Sequence, residues 1–325
     1  QTWCNEWTCS QTADCGTCGP SNGCKRFPPP PDKLAPPRPP IPPVPPRPPP
    51  LADFSVGQAD YWTFGSRIYT NAFGSAAELP TELTIKGLSW FGMETGTTMI
   101  GGANKRPMAE ITQFIKDNGF NAVRVPFAAD MVTSFVMPVP QENVDKVNPE
   151  LAGQSYILQL AVIAQALGDA GLLMLLDLHV LKAGVWPDGG AIGDMQAIKE
   201  SWGMLAETLC DASQYWNIFA AGIKNEPFNM YWGEPPAGAG AAYKPGNRFD
   251  TAVEEIAAVI HKKCPRWLIF AQGVGQCQGN AVDAVGQCKY PSAPGHQDVS
   301  INAWWGENLQ NAEAFPIKVG ARIGG

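Results

Sequence analysis

The sequence predicts an α/β protein in which about five of the eight βα units of a (β/α)8 TIM-type barrel follow a small disulfide-rich module. Short apolar strands alternate with amphipathic helices from residue 51 onward, as in a barrel or a doubly wound sheet. Long Gly- and Trp-containing loops follow several strand ends, where a barrel builds its functional face. No G-x-G-x-x-G follows the first strand and no P-loop motif occurs, so the barrel is favoured over a nucleotide-binding sheet.

The N-terminal residues 1–27 are predicted to form a module of their own, with carbohydrate binding as its candidate role. They contain five of the nine cysteines and almost no aliphatic side chains, so disulfides are the expected source of stability. Metal binding by Cys15 and Cys18 is the alternative, and it lacks a second matching pair nearby. Fifteen prolines fall within residues 28–50, which predicts an extended polyproline II linker rather than a ligand for an SH3-type domain.

Residues 51–325 are predicted to form the N-terminal part of the barrel. Its strands are expected at Leu83–Trp90, Ala122–Pro126, Leu172–His179, Ile218–Glu226 and Trp267–Gln272. Its clearest helices are expected at Pro107–Asn118, Ser155–Ala170 and Arg248–Lys263. The three middle strands are nearly continuous apolar runs, which is typical of parallel strands covered on both faces. Glycine directly after the first two helices is a C-terminal signal.

The composition argues against several classes of protein. A net charge of −7 opposes non-specific nucleic-acid binding, and no run of 18 apolar residues offers a membrane span. Three histidines and few suitably spaced cysteine pairs give little material for a metal site. We therefore expect no nucleic-acid partner, no membrane partner, no metal and no cofactor.

Polar side chains cluster at the carboxyl ends of the predicted strands. Arg124 ends the second strand, Asp177 and His179 end the third, and Asn225 and Glu226 end the fourth before a proline. Asp177 and His179 share a face because they are two residues apart, whereas Asn225 and Glu226 reach one site only if the strand ends there. Arg124 alone could be an ion-pair partner and His179 alone a core residue. Together, at strand ends, they predict a catalytic site.

Five segments in order resemble glycoside hydrolase family 5, and most of all its endo-β-1,4-glucanases (cellulases). They are GLSWFGMET, NAVRVPF, LLMLLDLH, GIKNEPFN and INAWWGENLQ, and the resemblance runs from about Ala59 to Val319. It implies retaining, endo-acting hydrolysis of β-1,4-glucan. Glu226 matches the general acid/base, Asn225 the residue that holds the sugar 2-hydroxyl, Arg124 the support of the nucleophile, and His179 a residue lining the −1 subsite.

Tryptophans in the loops are candidates for stacking on sugar rings, since their flat faces suit pyranose rings. The candidates are Trp90, Trp186, Trp232, Trp304 and Trp305. Packing at the rim is the alternative, weighed equally for Trp186 and Trp232.

The chain also departs from the family pattern. The family's His-x-Tyr pair and its nucleophilic Glu have no counterpart here, because His296 is not followed by Tyr and Glu307 lies on the loop after the fifth strand. We therefore expect the nucleophile beyond residue 325, in a longer enzyme, and no activity from these 325 residues alone. A non-catalytic carbohydrate-binding or cell-wall protein, and a hydrolase of mannan or another β-glucan, remain alternatives.

The remaining cysteines suggest two bridges. Cys210 and Cys264 both precede adjacent strands, and Cys277 and Cys288 lie in one loop. Paired cysteines indicate an oxidising compartment. We expect a secreted, monomeric protein whose partner is a polysaccharide, with bridges Cys210–Cys264 and Cys277–Cys288.

Overall fold

The structure is a computed structural model. It describes residues 59–72, 81–134, 136–185, 194–227, 230–234, 248–275, 309 and 311–319, and the backbone of 288–290 and 299–301. The predicted module 1–27 and linker 28–50 lie outside these residues, as do Trp186, Trp304, Trp305, Cys277 and Glu307.

Ten strands and seven α-helices are defined within the described part of the chain. The strands are β1 Tyr61–Phe64, β2 Arg67–Thr70, β3 Thr81–Leu83, β4 Gly87–Ser89, β5 Ala122–Ala128, β6 Leu173–Val180, β7 Ile218–Gly222, β8 Leu268–Phe270, β9 Cys288–Tyr290 and β10 Val299–Ile301. The helices are α1 Met108–Asp117, α2 Ala129–Thr133, α3 Val144–Val147, α4 Tyr156–Asp169, α5 Met195–Leu209, α6 Ala212–Tyr215 and α7 Phe249–Lys263, with a 3₁₀ turn at Pro149–Leu151.

The centre of the fold is a five-stranded parallel sheet in the order β4-β5-β6-β7-β8. Each strand pairs in parallel with the next strand of the sheet along the chain. Sequential parallel order with intervening helices is the arrangement of a (β/α) barrel and brings all carboxyl ends to one edge. The predicted barrel-type α/β class is thus confirmed, and β5 and β6 match the predicted strands closely.

The expectation of one strand over Leu83–Trp90 was wrong, because the chain changes sheets inside it. Leu83 pairs antiparallel with β2, whereas Gly87 pairs in parallel with Ala122 of β5. Asn121 occupies the break: its amide nitrogen donates to Thr84 O at 2.7 Å and its oxygen accepts from Lys86 N at 2.8 Å. Apolar residues fall at Leu83 and Ile85 and then at Leu88 and Trp90, so the alternation shifts by one residue where the chain changes partner.

An antiparallel sheet of β1, β2 and β3 covers the amino ends of the parallel strands. Tyr61 packs edge-on against Phe219 with 5.8 Å between ring centroids, and its hydroxyl donates to Trp216 O at 2.7 Å. Burial raises the pKa of this phenol well above its usual value. The sequence did not predict this sheet.

The three helices expected from the sequence are present, each within one residue of its predicted ends. Gly119 and Gly171 follow α1 and α4 with φ of +74° and +70°, a left-handed conformation that glycine adopts without strain. Helix α5 was not predicted. It begins after Asp194, whose carboxylate accepts from Ala197 N at 2.9 Å, and it buries Trp202 edge-on against Phe127 of β5.

A disulfide joins Cys210 and Cys264, with 5.3 Å between their Cα atoms. The cysteines follow α5 and α7 and precede the neighbouring strands β7 and β8, so this predicted bridge is confirmed. The Cys277–Cys288 bridge stays a prediction because Cys277 lies outside the described residues.

No helix in the described ranges is long and apolar enough to span a membrane. Within the same ranges, no group of three or more His, Cys, Asp and Glu side chains is arranged to hold a metal ion.

Candidate active site

The predicted polar residues come together at the carboxyl edge of the parallel sheet. Arg124 lies on β5, His179 lies on β6, and Asn225 and Glu226 lie in the segment that follows β7. The guanidinium group of Arg124 is the centre of the cluster. Its Nη2 donates to the Asn225 Oδ1 at 2.7 Å and lies 3.3 Å from Nδ1 of His179. Its Nη1 donates to Ser89 Oγ of β4 at 3.2 Å, so four strand ends contribute to one site.

Asp177 is the ion-pair partner of Arg124. Its Oδ2 accepts from Nη2 at 2.6 Å and lies 3.6 Å from Nδ1 of His179. The carboxylate is only 2% exposed, whereas Arg124 and His179 remain partly open to solvent. Asp177 was noted from the sequence at this strand end without a role. Its burial beneath Arg124 makes it part of the site.

Asn225 and Glu226 can both serve the site because the strand ends before them. Strand β7 stops at Gly222, and Asn225 N then donates to Leu178 O at 2.8 Å. Glu226 has a φ of +45°, in the left-handed region that costs a non-glycine residue about 1 kcal/mol or more. Its amide donates to Gln272 Oε1 at 2.9 Å, which holds this turn to the segment after β8. The half-buried Glu226 thus departs from strand alternation, as the sequence required.

Lys224 lies under this turn and was not predicted from the sequence. The side chain is 1% exposed, and its ammonium group donates to His179 O at 3.3 Å and Asn225 O at 3.2 Å. A buried charge needs such partners. The available signal was a lysine inside the run IFAAGIKNE, which is otherwise apolar until its last two residues.

The two described tryptophans among the stacking candidates are buried. Trp90 is 7% exposed and its indole nitrogen donates to Gly101 O at 2.8 Å. Trp232 is 3% exposed, donates to Phe315 O at 2.8 Å and packs edge-on against Phe249. These contacts support the packing alternative, and a stacking role for either ring stays a prediction.

The loops behind the site are joined by hydrogen bonds. The Tyr156 hydroxyl donates to Met93 O at 2.7 Å and accepts from Ala128 N at 3.0 Å, which links the loop after β4 to the end of β5. Burial raises the pKa of Tyr156 far above its usual value. Gly184 N donates to Glu94 O at 2.9 Å, which links the loop after β6. Fixed loops of this kind hold reacting groups in place.

The arrangement combines a carboxyl group with an amide, an imidazole and a guanidinium. A carboxyl group can donate or accept a proton, and the amide can hold a hydroxyl group of a substrate. The cluster therefore suits acid/base chemistry on a neutral, hydroxyl-rich molecule. Nothing in it resembles a phosphate-binding loop.

Residues 81–321 match the family described as Cellulase (glycosyl hydrolase family 5). An endoglucanase of Paenibacillus polymyxa is 26% identical over 280 residues, which are 82% of this chain and 58% of that protein. The major extracellular endoglucanase of Xanthomonas campestris is 26% identical over 247 residues, which are 73% of this chain and 43% of that protein. The chain thus spans about half the length of the curated relatives that it matches.

Solved structures show the same likeness. The endocellulase of Pyrococcus horikoshii, in complex with cellotetraose, superimposes with a TM-score of 0.63 at 27% sequence identity. The match covers 81% of this chain and 66% of that one. The family match over residues 81–321 includes all five strands of the described parallel sheet.

Proposed function

Because this chain belongs to glycosyl hydrolase family 5, the cellulase family, we propose that it acts in the retaining, endo-acting hydrolysis of β-1,4-glucan. The observation that carries the proposal is the Arg124–Asn225–His179 cluster beside Glu226 at the carboxyl edge of a parallel sheet. The relatives are endoglucanases, and one related structure holds cellotetraose. The similarity to endoglucanases and to a cellotetraose complex supports a β-glucan as the substrate class.

Each side chain has a part in the proposed reaction. Glu226 donates a proton to the leaving glycosidic oxygen and later accepts one from the attacking water. Asn225, held by Arg124, hydrogen-bonds the 2-hydroxyl of the sugar at the cleavage site. His179 lines the same subsite. Arg124 supports the nucleophile with a fixed positive charge.

A retaining mechanism needs a second carboxyl group about 5–5.5 Å from the first, which forms and then releases a covalent glycosyl intermediate. We propose that this nucleophile lies on a later strand of the barrel, beyond residue 325. On this proposal, we expect no hydrolysis from the 325 residues alone.

Secretion as a monomer is part of the same proposal. The Cys210–Cys264 bridge supports it, because disulfides persist in oxidising compartments and are rare in the cytosol. A polysaccharide is also too large to enter a cell, so an enzyme that hydrolyses it must act outside the cell.

Glu226→Gln in the full-length protein tests the proposal. The amide keeps the shape of the side chain but cannot donate the proton, so hydrolysis of soluble carboxymethylated cellulose should fall by about 10²–10⁴-fold. Binding of cellotetraose should persist. Glu110→Gln, an exposed change on α1, is the matched control and should keep full activity.

Wild-type turnover by the Glu226→Gln variant would refute the assignment. A wild-type protein inactive on every glucan and mannan tested would favour a non-catalytic carbohydrate-binding role. Preferential hydrolysis of mannan would change the proposed substrate from β-1,4-glucan to mannan and leave the proposed mechanism unchanged. Proton NMR of the first products shows whether the anomeric configuration is retained.

A further inference from the structure

We propose that Asp177 is a positioning residue that sets the orientation and the effective charge of Arg124. The inference rests on the proposed function, because its consequence is a change in the rate and pH dependence of hydrolysis. It is carried by the placement of one buried carboxylate between two strands, and by a glycine that leaves room for it.

The first observation is how Arg124 is held. Its Nη2 bonds Asp177 at 2.6 Å and Asn225 at 2.7 Å, and Nη1 bonds Ser89 at 3.2 Å. A guanidinium nitrogen of this type has two hydrogens, so Asp177 and Asn225 together use the donors of Nη2. The charged bond to Asp177 is the stronger one and fixes the plane of the group. Arg124 can therefore offer Nη2 to Asn225 only in the orientation that Asp177 imposes.

The second observation is independent of Arg124. Gly222 of β7 lies directly beside Asp177 of β6 in the strand register. A Cβ atom on Gly222 would lie 2.6 Å from Asp177 Oδ1 and 3.3 Å from a methyl carbon of Leu175. At 2.6 Å one of the two groups has to move, and the nearer atom belongs to the Asp177 carboxylate. The observed position of that carboxylate therefore depends on glycine at residue 222.

The charge of Asp177 also affects the site. The charged and titratable groups that contact it are Arg124 from β5 and His179 on its own strand, and its neighbour on β7 is Gly222. On the other side of Arg124, the hydroxyl group of Ser89 on β4 accepts a hydrogen bond from Nη1 and carries no charge. Without Asp177 the cluster gains one unit of positive charge. A nearby positive charge favours the ionised form of a carboxyl group, so replacing Asp177 by a neutral residue should move the pH dependence of hydrolysis towards lower pH.

The test compares Asp177→Asn with wild type in the full-length protein. The amide has the same shape, so folding is expected to be kept while the charge is lost. Since Asp177 contacts Arg124 rather than substrate, kcat on a soluble β-glucan should fall by about 10- to 100-fold with KM changed by less than about threefold. The alkaline limb of the pH profile should move down by about half a pH unit or more.

Two further variants complete the design. Gly222→Ala displaces the carboxylate without removing its charge, so kcat should fall while the alkaline limb moves less than in Asp177→Asn. Asp169→Asn makes the same chemical change at an exposed residue in the last turn of α4, at the opposite end of the sheet. It should match wild type in both readouts. The unfolding midpoint of each variant is measured first, and all activity assays are run at a temperature well below the lowest of these midpoints.

The outcomes separate the two hypotheses. If Glu226→Gln is inactive and Asp177→Asn keeps wild-type kcat and pH profile, the positioning role of Asp177 is overturned and the proposed function stands. If Glu226→Gln is active, the proposed function fails. Should Asp177→Asn not fold, Gly222→Ala decides: an unchanged kcat overturns the positioning role, and a reduced kcat supports it.

Discussion

Removing the Cys210–Cys264 disulfide should destabilise the barrel without affecting catalysis. The bridge closes a loop with a sequence separation of 54. On the chain-entropy account, cross-linking a loop of this length removes about 14 cal/mol/K from the unfolded chain, or about 4 kcal/mol at 25 °C. For a domain of this size the loss corresponds to a fall in Tm of about 10 °C.

The measurement is thermal and denaturant unfolding of the Cys210→Ala/Cys264→Ala variant of the full-length protein. Either single variant opens the loop, so each should lose nearly as much as the double variant. Activity well below the midpoint should equal that of wild type, because the bridge precedes β7 and β8 whereas the site follows the strands. A loss below about 1 kcal/mol in the double variant would show that the unfolded chain is not restrained as the entropy account requires.

Two other predictions concern buried polar groups. Tyr156→Phe removes the hydroxyl group that hydrogen-bonds Met93 O and Ala128 N. It should lower the free energy of unfolding, measured by denaturant titration, by about 2 kcal/mol. The exposed control variant Glu110→Gln should leave this free energy unchanged. Arg266→Met removes a fully buried guanidinium that donates to four backbone carbonyl groups, including Tyr215 O at 2.6 Å and Ile218 O at 2.9 Å. It should cost about 3 kcal/mol or more, and a near-neutral result in the same assay would mean that other donors satisfy those carbonyls.

Arg266 also shows how burial acts on charge in this fold. Desolvation lowers its pKa to about 10, and the negative charges nearby only partly oppose the shift. It remains protonated at neutral pH and joins the turn around α6 to the start of β7, next to the disulfide. A stretch such as CPRW gives no sign that its arginine is buried, because the acceptors come from another segment.

Much of the barrel was predictable because its signals are local. Strands β5 and β6 are apolar runs, α1 and α4 have apolar periodicity followed by glycine, and these patterns need only a short window of sequence. The polar residues at strand ends were predictable for the same reason, since parallel strands deliver their carboxyl ends to one edge. Arg124, His179 and Asn225 accordingly meet in the structure.

What failed or was missed depends on partners distant in sequence. The segment Leu83–Trp90 was predicted as one strand, but its two halves pair with strands of two different sheets. The sheet of β1–β3 was missed because it packs against barrel strands that are distant in sequence. The burial of Trp90 and Trp232 is also set by contacts that the local sequence does not show, while a stacking role for either ring stays a prediction.

The sequence by itself determined the class of fold, the order of the strands, the residues at their ends and the family. Only the tertiary structure decided which of those residues touch: that Asp177 holds Arg124, that Gly222 leaves room for Asp177, and that Lys224 supports the turn carrying Glu226. The physical reason is range. Propensity and periodicity act between neighbours in the chain, whereas burial and hydrogen bonding act between neighbours in space. The fold brings Ser89, Asp177 and Asn225, from three other segments, to within 3.2 Å of Arg124.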